Sequence, residues 1–409
     1  MRQAQATVTV REQELSVLRD IVEQHAEIER LAGSEGEARS ARLLHEQLHD
    51  AGAAARIEPA TFLEGWARTF AEALLVPILA GLLGHRAGRL RVPLAVGSAA
   101  AGLLVADDIS NGRRLLRRAL RRRHATQNVV AEIGSRDAPV TLVVMAHHDA
   151  ARTGRMFDQG LQQAAYRRFP ARVESVRTSL PSWWPAFLAP LAVAAGLLTG
   201  RRGLQLGGAA VSSVAASLLA DIARSPVVPG ANDNLSGVAV LVALAERLRR
   251  DPIDGVRVIL LSAGAEEELQ GGVYDFLREH RAELDPATTR FLAVDTVGSP
   301  TLVMLEGEGP VRMLDYDASF RDLVAKVADE AGVTMERGLR SRFSTDGVVP
   351  TKLGIPTVSL VSLAAWRAPS NYHLMTDTPD RLCYETIQAA VDLSEALTRR
   401  LAAGGHLHG

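Results

Sequence analysis

Five short segments of this chain each place a side chain that can bind a metal ion next to small or apolar residues. The segments are Ala146-His147-His148-Asp149, Ala231-Asn232-Asp233-Asn234, Ala265-Glu266-Glu267, Val294-Asp295-Thr296 and Tyr372-His373-Leu374-Met375-Thr376-Asp377. Two histidines and three carboxylates, with no cysteine among them, form a ligand set that suits zinc. A further carboxylate beside one of the ligands could serve as a general base. The pattern predicts a hydrolase site that holds two metal ions.

Apolar segments of strand length precede most of these motifs. We expect strands at residues 127–133, 140–146, 256–262, 291–296, 301–305 and 356–363. The first two are expected to be neighbours, and the second is apolar on both faces, as a central strand would be. Residues with helical spacing lie between and around them, at 10–31, 38–51, 238–249, 268–281, 319–331 and 379–402. This alternation predicts an α/β, doubly wound fold, a mostly parallel mixed sheet flanked by helices, with the candidate ligands at the carboxyl ends of strands.

Four apolar stretches interrupt that alternation in two pairs, at residues 70–84 and 92–106 and at residues 183–199 and 204–220. A short basic link joins the members of each pair. Each stretch is shorter than the roughly 20 residues that cross a bilayer without tilt, so buried helices of a soluble domain are an alternative. Because the stretches are apolar all round and are bracketed by Trp183, Trp184 and arginines, we expect two hydrophobic helical hairpins in the lipid bilayer.

These features predict five segments. Residues 1–64 would contain N-terminal helices and the first part of the catalytic domain, and residues 65–107 the first hairpin. Residues 108–178 would carry the first metal motif, residues 179–222 the second hairpin, and residues 223–409 the remainder of the catalytic domain. The tail with His406 and His408 is interpreted as a flexible end.

All five motifs must meet on one side of the membrane, and two hairpins satisfy this because each returns to the side it left. Arginines are denser on that side than in the two links, notably in the run from Arg113 to Arg123. The positive-inside rule then predicts a catalytic domain on the cytoplasmic side of the cell membrane. We expect the run itself either to form a solvated helix or to contact phosphate headgroups.

The composition restricts the class of protein further. The chain has 409 residues, 47% of them hydrophobic, which is enough to bury a large core. Its formal net charge is -1, from 46 basic and 47 acidic residues, so we expect no nucleic-acid partner. Cys383 is the single cysteine, which excludes an internal disulfide. The first ten residues contain no apolar stretch typical of a secretory signal.

In their order along the chain, the five motifs resemble those of the co-catalytic zinc aminopeptidases of metallopeptidase family 28, whose relatives include glutamate carboxypeptidases and glutaminyl cyclases. The resemblance extends roughly over residues 33–401, apart from the two apolar pairs. It implies a zinc-exopeptidase fold of the phosphorylase/hydrolase-like type and two Zn²⁺ ions. The ligands it implies are His147, Asp233 and Asp295 for one ion, and Asp233, Glu267 and His373 for the other, with Asp233 as the bridge.

The same resemblance implies that Glu266 is the general base and that Asp149 orients His147. A register in which Glu267 is the base and Glu268 the ligand is an alternative. Asp233 could instead be a helix cap or part of an Asx-turn. His148 is expected to point to the opposite face of its strand.

In the last motif, Tyr372 is a candidate for oxyanion stabilisation, whereas Asp377 is expected to shape the loop. One departure from the family pattern concerns the substrate pocket, because Gly347 stands where relatives often carry a histidine.

The resulting expectation is a zinc-dependent exopeptidase, with aminopeptidase action as the leading activity, that acts on peptide substrates. Carboxypeptidase action, glutaminyl cyclisation and a non-catalytic membrane scaffold are the alternatives.

Overall fold

A single mixed sheet of nine strands forms the centre of the protein. The computed structural model describes the backbone of residues 2–404 and the side chains from residue 11 onward, except that of His85. The tail with His406 and His408 lies outside the described residues. The strands are β1 (Ala54–Leu63), β2 (Arg123–Ile133), β3 (Val140–His147), β4 (Val256–Ala263), β5 (Thr289–Val294), β6 (Thr301–Glu308), β7 (Leu314–Asp315), β8 (Glu336–Ser341) and β9 (Thr357–Leu363). Their order is β1-β2-β4-β3-β5-β9-β6-β7, and β8 pairs with β6.

The centre of the sheet is parallel and the edges are mainly antiparallel. Strands β4, β3, β5 and β9 pair in parallel, and every residue of these four strands is buried. Strands covered on both faces favour apolar side chains at most positions, which explains the largely apolar runs that the sequence shows there. The predicted α/β class, with a mixed sheet between helices, is confirmed.

The expectation that β2 and β3 are neighbours is wrong, because β4 lies between them. Strand β2 pairs with β4 in antiparallel fashion, and β3 pairs with the other edge of β4. Strands β1 and β8, which the sequence analysis did not predict, lie toward the outside of the sheet. β8 is rich in polar residues and mostly half-exposed, and the first half of β1 is half-exposed or exposed and ends at Pro59, which an edge strand tolerates.

Fourteen α-helices within the described residues surround the sheet or project from it. They are α1 (Arg2–Ala26), α2 (Glu35–Asp50), α3 (Trp66–Leu83), α4 (Arg91–Ile109), α5 (Leu115–Leu120), α6 (Gly160–Arg168), α7 (Pro170–Glu174), α8 (Trp184–Thr199), α9 (Arg202–Ile222), α10 (Ser236–Arg250), α11 (Gly271–Glu279), α12 (Ala318–Ala331), α13 (Val348–Lys352) and α14 (Tyr384–Ala403). Helices α1, α2, α10, α12 and α14 pack on one face of the sheet, and α11 and α13 on the other. The helix predicted at 268–281 begins only at Gly271, because Leu269 and Gln270 have positive φ angles.

Helices α3, α4, α8 and α9 pack against one another as a four-helix bundle. Small residues bring their backbones close together: a Cβ on Gly102 would lie 2.7 Å from the carbonyl oxygen of Phe187, and one on Gly208 would lie 2.7 Å from that of Ala189. Such packing is common between helices in lipid. Among the described residues, three helical segments are long and apolar enough to cross a membrane, at Trp66–Leu83, Gly88–Ile109 and Arg202–Ile222, whereas α8 is shorter.

The outer surface of this bundle is apolar. Large side chains exposed on it include Leu79, Val96 and Leu198, each more than half accessible. The two basic links lie at one end, which we call the tip. At the other end, the base, α3 and α8 begin and α4 and α9 end, and the rings of Trp66 and Trp183 meet with centroids 5.3 Å apart. The bundle therefore has an apolar side surface between a basic end and an aromatic end.

The arginine run after α4 does not form one continuous surface. Arg117 is fully buried, and its Nε donates to Asp108 over 2.8 Å. Arg114 is buried over the ring of Tyr274, at 3.9 Å from its centroid. The exposed members of the run are Arg113, Arg118, Arg122 and Arg123. The two buried side chains therefore cannot contact lipid headgroups, and they stabilise the base of the bundle instead.

Candidate metal centre

Three of the predicted ligand motifs lie at neighbouring strand ends. His147 is the last residue of β3, and Asp295 follows the last residue of β5. Glu266 and Glu267 lie in the turn that leaves β4. Because β4, β3 and β5 are adjacent and parallel, their carboxyl ends meet at one edge of the sheet, as expected for an α/β site.

Two loops complete the site. Asp233 lies in an irregular turn, Ala231–Leu235, before α10, and His373 lies in the loop that precedes α14. The carboxylate of Asp377 joins the loops by accepting the backbone N–H groups of Asn232 (2.8 Å) and Asp233 (3.1 Å). Asp377 thus has the loop-shaping contacts predicted for it.

The five predicted ligands converge. His147 Nε2 lies 3.2 Å from Asp233 Oδ1, and His373 Nε2 lies 3.0 Å from Asp233 Oδ2 and 3.3 Å from Glu267 Oε1. The candidate ligand atoms of His147, Asp233 and Asp295 lie within 4.8 Å of one another, as do those of Asp233, Glu267 and His373. These are the two predicted ligand sets, and they share Asp233.

The chemistry of these side chains fits a pair of divalent cations. His373 Nδ1 is buried without a hydrogen-bond partner among the described residues. The buried atoms His147 Nε2, Glu267 Oε1 and His373 Nε2 approach other candidate ligands within 3.3 Å but form no hydrogen bond of regular geometry. Burial raises the pKa of Asp295 to about 7, with neighbouring Asp233 adding to the effect. Unpaired polar atoms and clustered carboxyls are costly in a protein interior, and cations bound among them would remove that cost. Nitrogen and oxygen donors of this kind suit zinc.

A buried arginine lies close to the cluster. Arg30 is fully buried and donates to the backbone carbonyls of His25, Ile28, His148, Pro229 and Gly230. Burial lowers its pKa to about 10, and Asp377, Asp149 and Asp233 oppose that effect, so it stays charged at neutral pH. One guanidinium cannot balance the carboxyls of the site, which leaves a role for further cations.

Asp149 holds the turn that carries both glutamates. Its carboxylate accepts the backbone N–H of Glu266 (3.0 Å) and that of Glu267 (3.1 Å). The same carboxylate lies 3.4 Å from His147 Nδ1. His147 Nδ1 also lies 3.3 Å from the backbone carbonyl oxygen of Asp149, and the orienting role of the carboxylate stays a prediction. The carboxylate also sets the positions of the candidate base and the candidate ligand, which the sequence did not indicate.

The candidate base is itself held by a neighbour. Gln270 Nε2 donates to Glu266 Oε1 over 2.6 Å, while Glu266 Oε2 lies 4.0 Å from His147 Nε2. Burial raises the pKa of Glu266 well above its ordinary value, and the positive charge of His147 opposes the rise. One carboxyl oxygen is thus fixed by Gln270, and the other faces the ligand cluster.

The alternative register receives no support from the geometry. The carboxyl group of Glu268 points away from the cluster and accepts the backbone N–H groups of Gly65 (2.8 Å) and Trp66 (3.3 Å) at the start of α3. In addition, Trp66 Nε1 donates to the carbonyl oxygen of Glu267 over 2.8 Å. The base of the bundle is therefore bonded directly to the turn that carries the candidate metal ligand.

The remaining residues of the motifs have structural contacts. His148 is buried on the other side of its strand, with Nδ1 3.0 Å from Ser262 Oγ. Asn234 accepts the N–H groups of Gly237 and Thr296, which joins its turn to the end of β5. Tyr372 stacks on His373 with ring centroids 3.9 Å apart, and its oxyanion role remains a prediction.

Asp346 is a buried carboxyl that the sequence analysis did not assign to the site. It is 4% exposed, and neither of its oxygens has a hydrogen-bond partner among the described residues. Its charge contributes to the raised pKa of Glu266. Gln270 Nε2, which holds Glu266, also donates to the carbonyl oxygen of Ser344 over 3.2 Å, so the segment that carries Asp346 lies beside the candidate base. Next to Asp346, a Cβ on Gly347 would lie 2.7 Å from the hydroxyl of Tyr316, so any larger side chain at this position would have to displace that hydroxyl.

A cavity of about 320 Å³ opens on the cluster. Asp233, Glu266, Glu267 and Asp295 line one end, and apolar side chains including Leu339, Phe343, Val361 and Trp366 line much of the rest. A smaller cavity of about 60 Å³ shares Glu266, Glu267 and Tyr372 and reaches the base of the bundle at Trp66, Ile109 and Trp183. The site therefore has a large apolar pocket on one side and the bundle on the other.

Comparison with known proteins agrees with this geometry. Residues 214–398 match the model of Peptidase family M28. No curated protein matches the chain. Among solved structures, the aminopeptidase from Aneurinibacillus sp. strain AM-1 has a TM-score of 0.54 at 14% identity, over 95% of this chain and 93% of that one.

Two further structures show the same fold. A glutaminyl cyclase from Bacteroides thetaiotaomicron bound to N-acetylhistamine has a TM-score of 0.56 at 12% identity, over 94% of this chain and 97% of that one. A zinc aminopeptidase from Bacillus subtilis has a TM-score of 0.51 at 13% identity, over 95% of this chain and 94% of that one. The predicted resemblance to family 28 is confirmed by the match over residues 214–398, which supports a metallopeptidase, and the three solved structures show the same fold.

Proposed function

We propose that this protein is a membrane-anchored zinc exopeptidase that removes amino-terminal residues from peptides. The observation that carries the proposal is the meeting of two three-residue ligand sets at Asp233, with Glu266 beside them at the end of an apolar cavity. Co-catalytic hydrolases hold two metal ions roughly 3.5–4 Å apart, and a carboxylate with one oxygen toward each imidazole suits a bridge. Asp233 has this arrangement.

The chain's own residues would position and move the proton. A pair of zinc ions, once bound, would polarise the scissile carbonyl and activate the attacking water. Glu266 Oε2 faces the cluster and can take a proton from that water, while Gln270 keeps the carboxyl from turning away. As the C–N bond breaks, the same carboxyl can give the proton to the leaving amine nitrogen. Throughout these steps, the Asp149 carboxylate would hold the backbone of the base Glu266 and of the ligand Glu267 in place.

The cavity supports a substrate with a large apolar residue at the cleaved position. Its wall of Leu339, Phe343, Val361 and Trp366 would remove such a side chain from water, at about 25 cal/mol per Å² of apolar surface.

The bundle supports the membrane anchor. An α-helix of 18 residues, the length of α3, is about 27 Å long, which approaches the roughly 30 Å of a hydrocarbon core. Exposed Leu79, Val96 and Leu198 would contact lipid, and Trp66 and Trp183 would lie at the interface. The arginines near the base outnumber those of the tip, which supports a catalytic domain on the cytoplasmic side.

The test of catalysis compares two neighbouring glutamates. Glu266→Gln should keep its zinc and its acceptor for Gln270, yet lose about 10²- to 10⁴-fold in kcat on an aminoacyl-coumarin substrate, since it removes only the base. Glu268→Gln is the matched control and should stay within a few-fold of the parent. Purified protein without zinc by elemental analysis, or full activity of Glu266→Gln, would refute the proposal.

The alternative reactions leave different products. Incubation with an unblocked peptide that begins with glutamine, followed by mass spectrometry, separates a released amino-terminal residue from a released carboxyl-terminal residue and from a ring-closed peptide. The proposed function requires the first product. For the anchor, the protein should sediment with membranes after a high-salt or carbonate wash and dissolve only with detergent. Monodisperse protein in detergent-free buffer would contradict it.

A further inference from the structure

The segment between the metal motif of β3 and the second hairpin is unusually exposed. Residues 160–175, here called the lid, contain α6 and α7, and no residue of either helix is buried. Elements with few buried contacts open at low free-energy cost. The lid therefore differs from the other elements around the site, which bury apolar side chains against the sheet.

Both ends of the lid are fixed. Before it, Gln159 donates to the carbonyl oxygen of Pro369 over 2.7 Å and accepts from Trp366 Nε1 over 3.1 Å. After it, the backbone N–H of Arg340 in β8 donates to the carbonyl oxygen of Arg177 over 2.9 Å, and the N–H of Ser179 donates to that of Arg340 over 3.1 Å. A weakly packed segment between two fixed ends can move as a unit, as the lids of many enzymes do.

The inner side of the lid is part of the substrate cavity. Gln162, Ala165 and Val173 line the cavity that ends at Asp233 and Glu267. Any displacement of the lid therefore changes access to the candidate metal centre.

The outer side of the lid combines apolar and basic side chains. Leu161 is 85% exposed and Phe169 is 49% exposed. Arg167, Arg168 and Arg172 are exposed between and beside them. Basic residues interspersed with exposed apolar ones are typical of segments that lie on an anionic bilayer surface.

The chain on both sides of the lid lies near the base of the bundle, where the bilayer surface is expected. Directly before it, the N–H of Arg155 donates to Asp221 Oδ2 at the end of α9, over 2.8 Å. After it, the chain passes Leu180, which is 60% exposed, and enters α8 at Trp184. The segments that flank the lid on both sides therefore reach the base of the bundle.

We infer that the lid docks on anionic lipid headgroups and that docking opens the cavity to peptides held at the membrane surface. The inference rests on the proposed function, and it specifies both the partner and the substrate class: peptides with an apolar amino-terminal residue that partition to the bilayer. Arg167, Arg168 and Arg172 supply the charge complementarity, and Leu161 and Phe169 enter the interface. In solution or on neutral lipid, the lid stays over the cavity.

Docking can be measured without catalysis. Cys383 is the single native cysteine, so a Cys383→Ser, Leu161→Cys protein takes one environment-sensitive fluorophore on the lid. In nanodiscs of phosphatidylcholine mixed with phosphatidylglycerol, we expect a blue shift relative to phosphatidylcholine alone. Adding Arg167→Glu, Arg168→Glu and Arg172→Glu should abolish the shift, as should high salt. Glutamate at the exposed arginines 39, 281 and 400 is the matched control and should leave it unchanged.

Catalysis supplies the second readout. On an apolar aminoacyl-coumarin, kcat/KM should rise on the order of tenfold between neutral and anionic nanodiscs, and the Arg167, Arg168 and Arg172 triple variant should lose that rise while keeping its rate on neutral lipid. An unshifted fluorophore, or equal kcat/KM on both lipids in an active enzyme, overturns the lid inference and leaves the proposed function intact. A shifted fluorophore on a protein with no peptidase activity on any lipid overturns the proposed function instead, and with it the substrate class.

Discussion

Arg117 provides a quantitative test of how the bundle is joined to the catalytic domain. Its guanidinium is fully buried, and Nε pairs with Asp108 Oδ1 at 2.8 Å. Nη1 donates to the carbonyl oxygens of Leu63 (2.8 Å) and Glu268 (3.0 Å), at the end of β1 and in the turn beside the candidate ligand Glu267. One side chain thus joins the end of α4, the sheet and the turn of the metal centre.

Arg117→Met fills most of the same volume but leaves Asp108 without its cation. The remaining partner of that carboxylate is the backbone N–H of residue 117, at 3.2 Å. Removing one partner of a buried ion pair costs about 3–5 kcal/mol. For 409 residues the unfolding entropy is roughly 0.9 kcal/mol/K, so a loss of about 4 kcal/mol corresponds to a Tm lower by about 5 °C.

The assay is thermal unfolding in mild detergent, followed by tryptophan fluorescence. Arg118→Met, at the exposed neighbouring position, is the control and should shift Tm by less than about 1 °C. The double variant Arg117→Met, Asp108→Leu removes both charges and should recover most of the lost stability, because no charge is left alone in the interior. Equal shifts for Arg117→Met and Arg118→Met, or a double variant less stable than Arg117→Met, would refute the reasoning.

Three further predictions concern the metal centre and the interior of the sheet. His373→Ala and Asp295→Asn should each lose one equivalent of zinc by elemental analysis, whereas Asp233→Asn should lose both; equal zinc content in all three would contradict a shared ligand. Asp149→Asn can accept only one of the two N–H groups of the glutamate turn, so kcat should fall about tenfold to a hundredfold while the zinc content is kept. Burial raises the pKa of Glu308 from 4.5 to about 8, so the folded state binds the extra proton. Between about pH 5 and 8 the parent should therefore lose stability as pH rises, by on the order of a few kcal/mol relative to Glu308→Gln, as measured by chemical unfolding; parallel pH profiles would exclude this.

The local pattern of the chain was sufficient to predict the sheet core, and together with the resemblance to family 28 it predicted the side chains that the fold brings together as candidate ligands. Continuous apolar runs mark β3, β4 and β9 because these strands are covered on both faces. Polar residues directly after such runs, such as His147 and Asp295, have few places to lie except the open edge of the sheet. The two apolar hairpins could also be predicted from the sequence, because a helix that is apolar on every side has no polar face to turn toward water.

Features that depend on distant partners were missed. In the sheet, β4 lies between β2 and β3, although it follows β3 by more than 100 residues in the chain. No local signal encodes such a pairing. Arg117 lies in a run of seven arginines, and its burial depends on Asp108 meeting it across a turn. Asp346 carries no motif of its own, and only the folded chain places it beside Glu266.

The register of β1 with β2 has a consequence for how the protein is made. Leu63 pairs with Arg123, and the whole first hairpin lies between these partners. The strands that flank β3, which are β4 and β5, follow the second hairpin. During synthesis, if the hairpins insert into lipid, His147 emerges before its neighbours in the sheet exist, and the centre closes only after both hairpins have turned back.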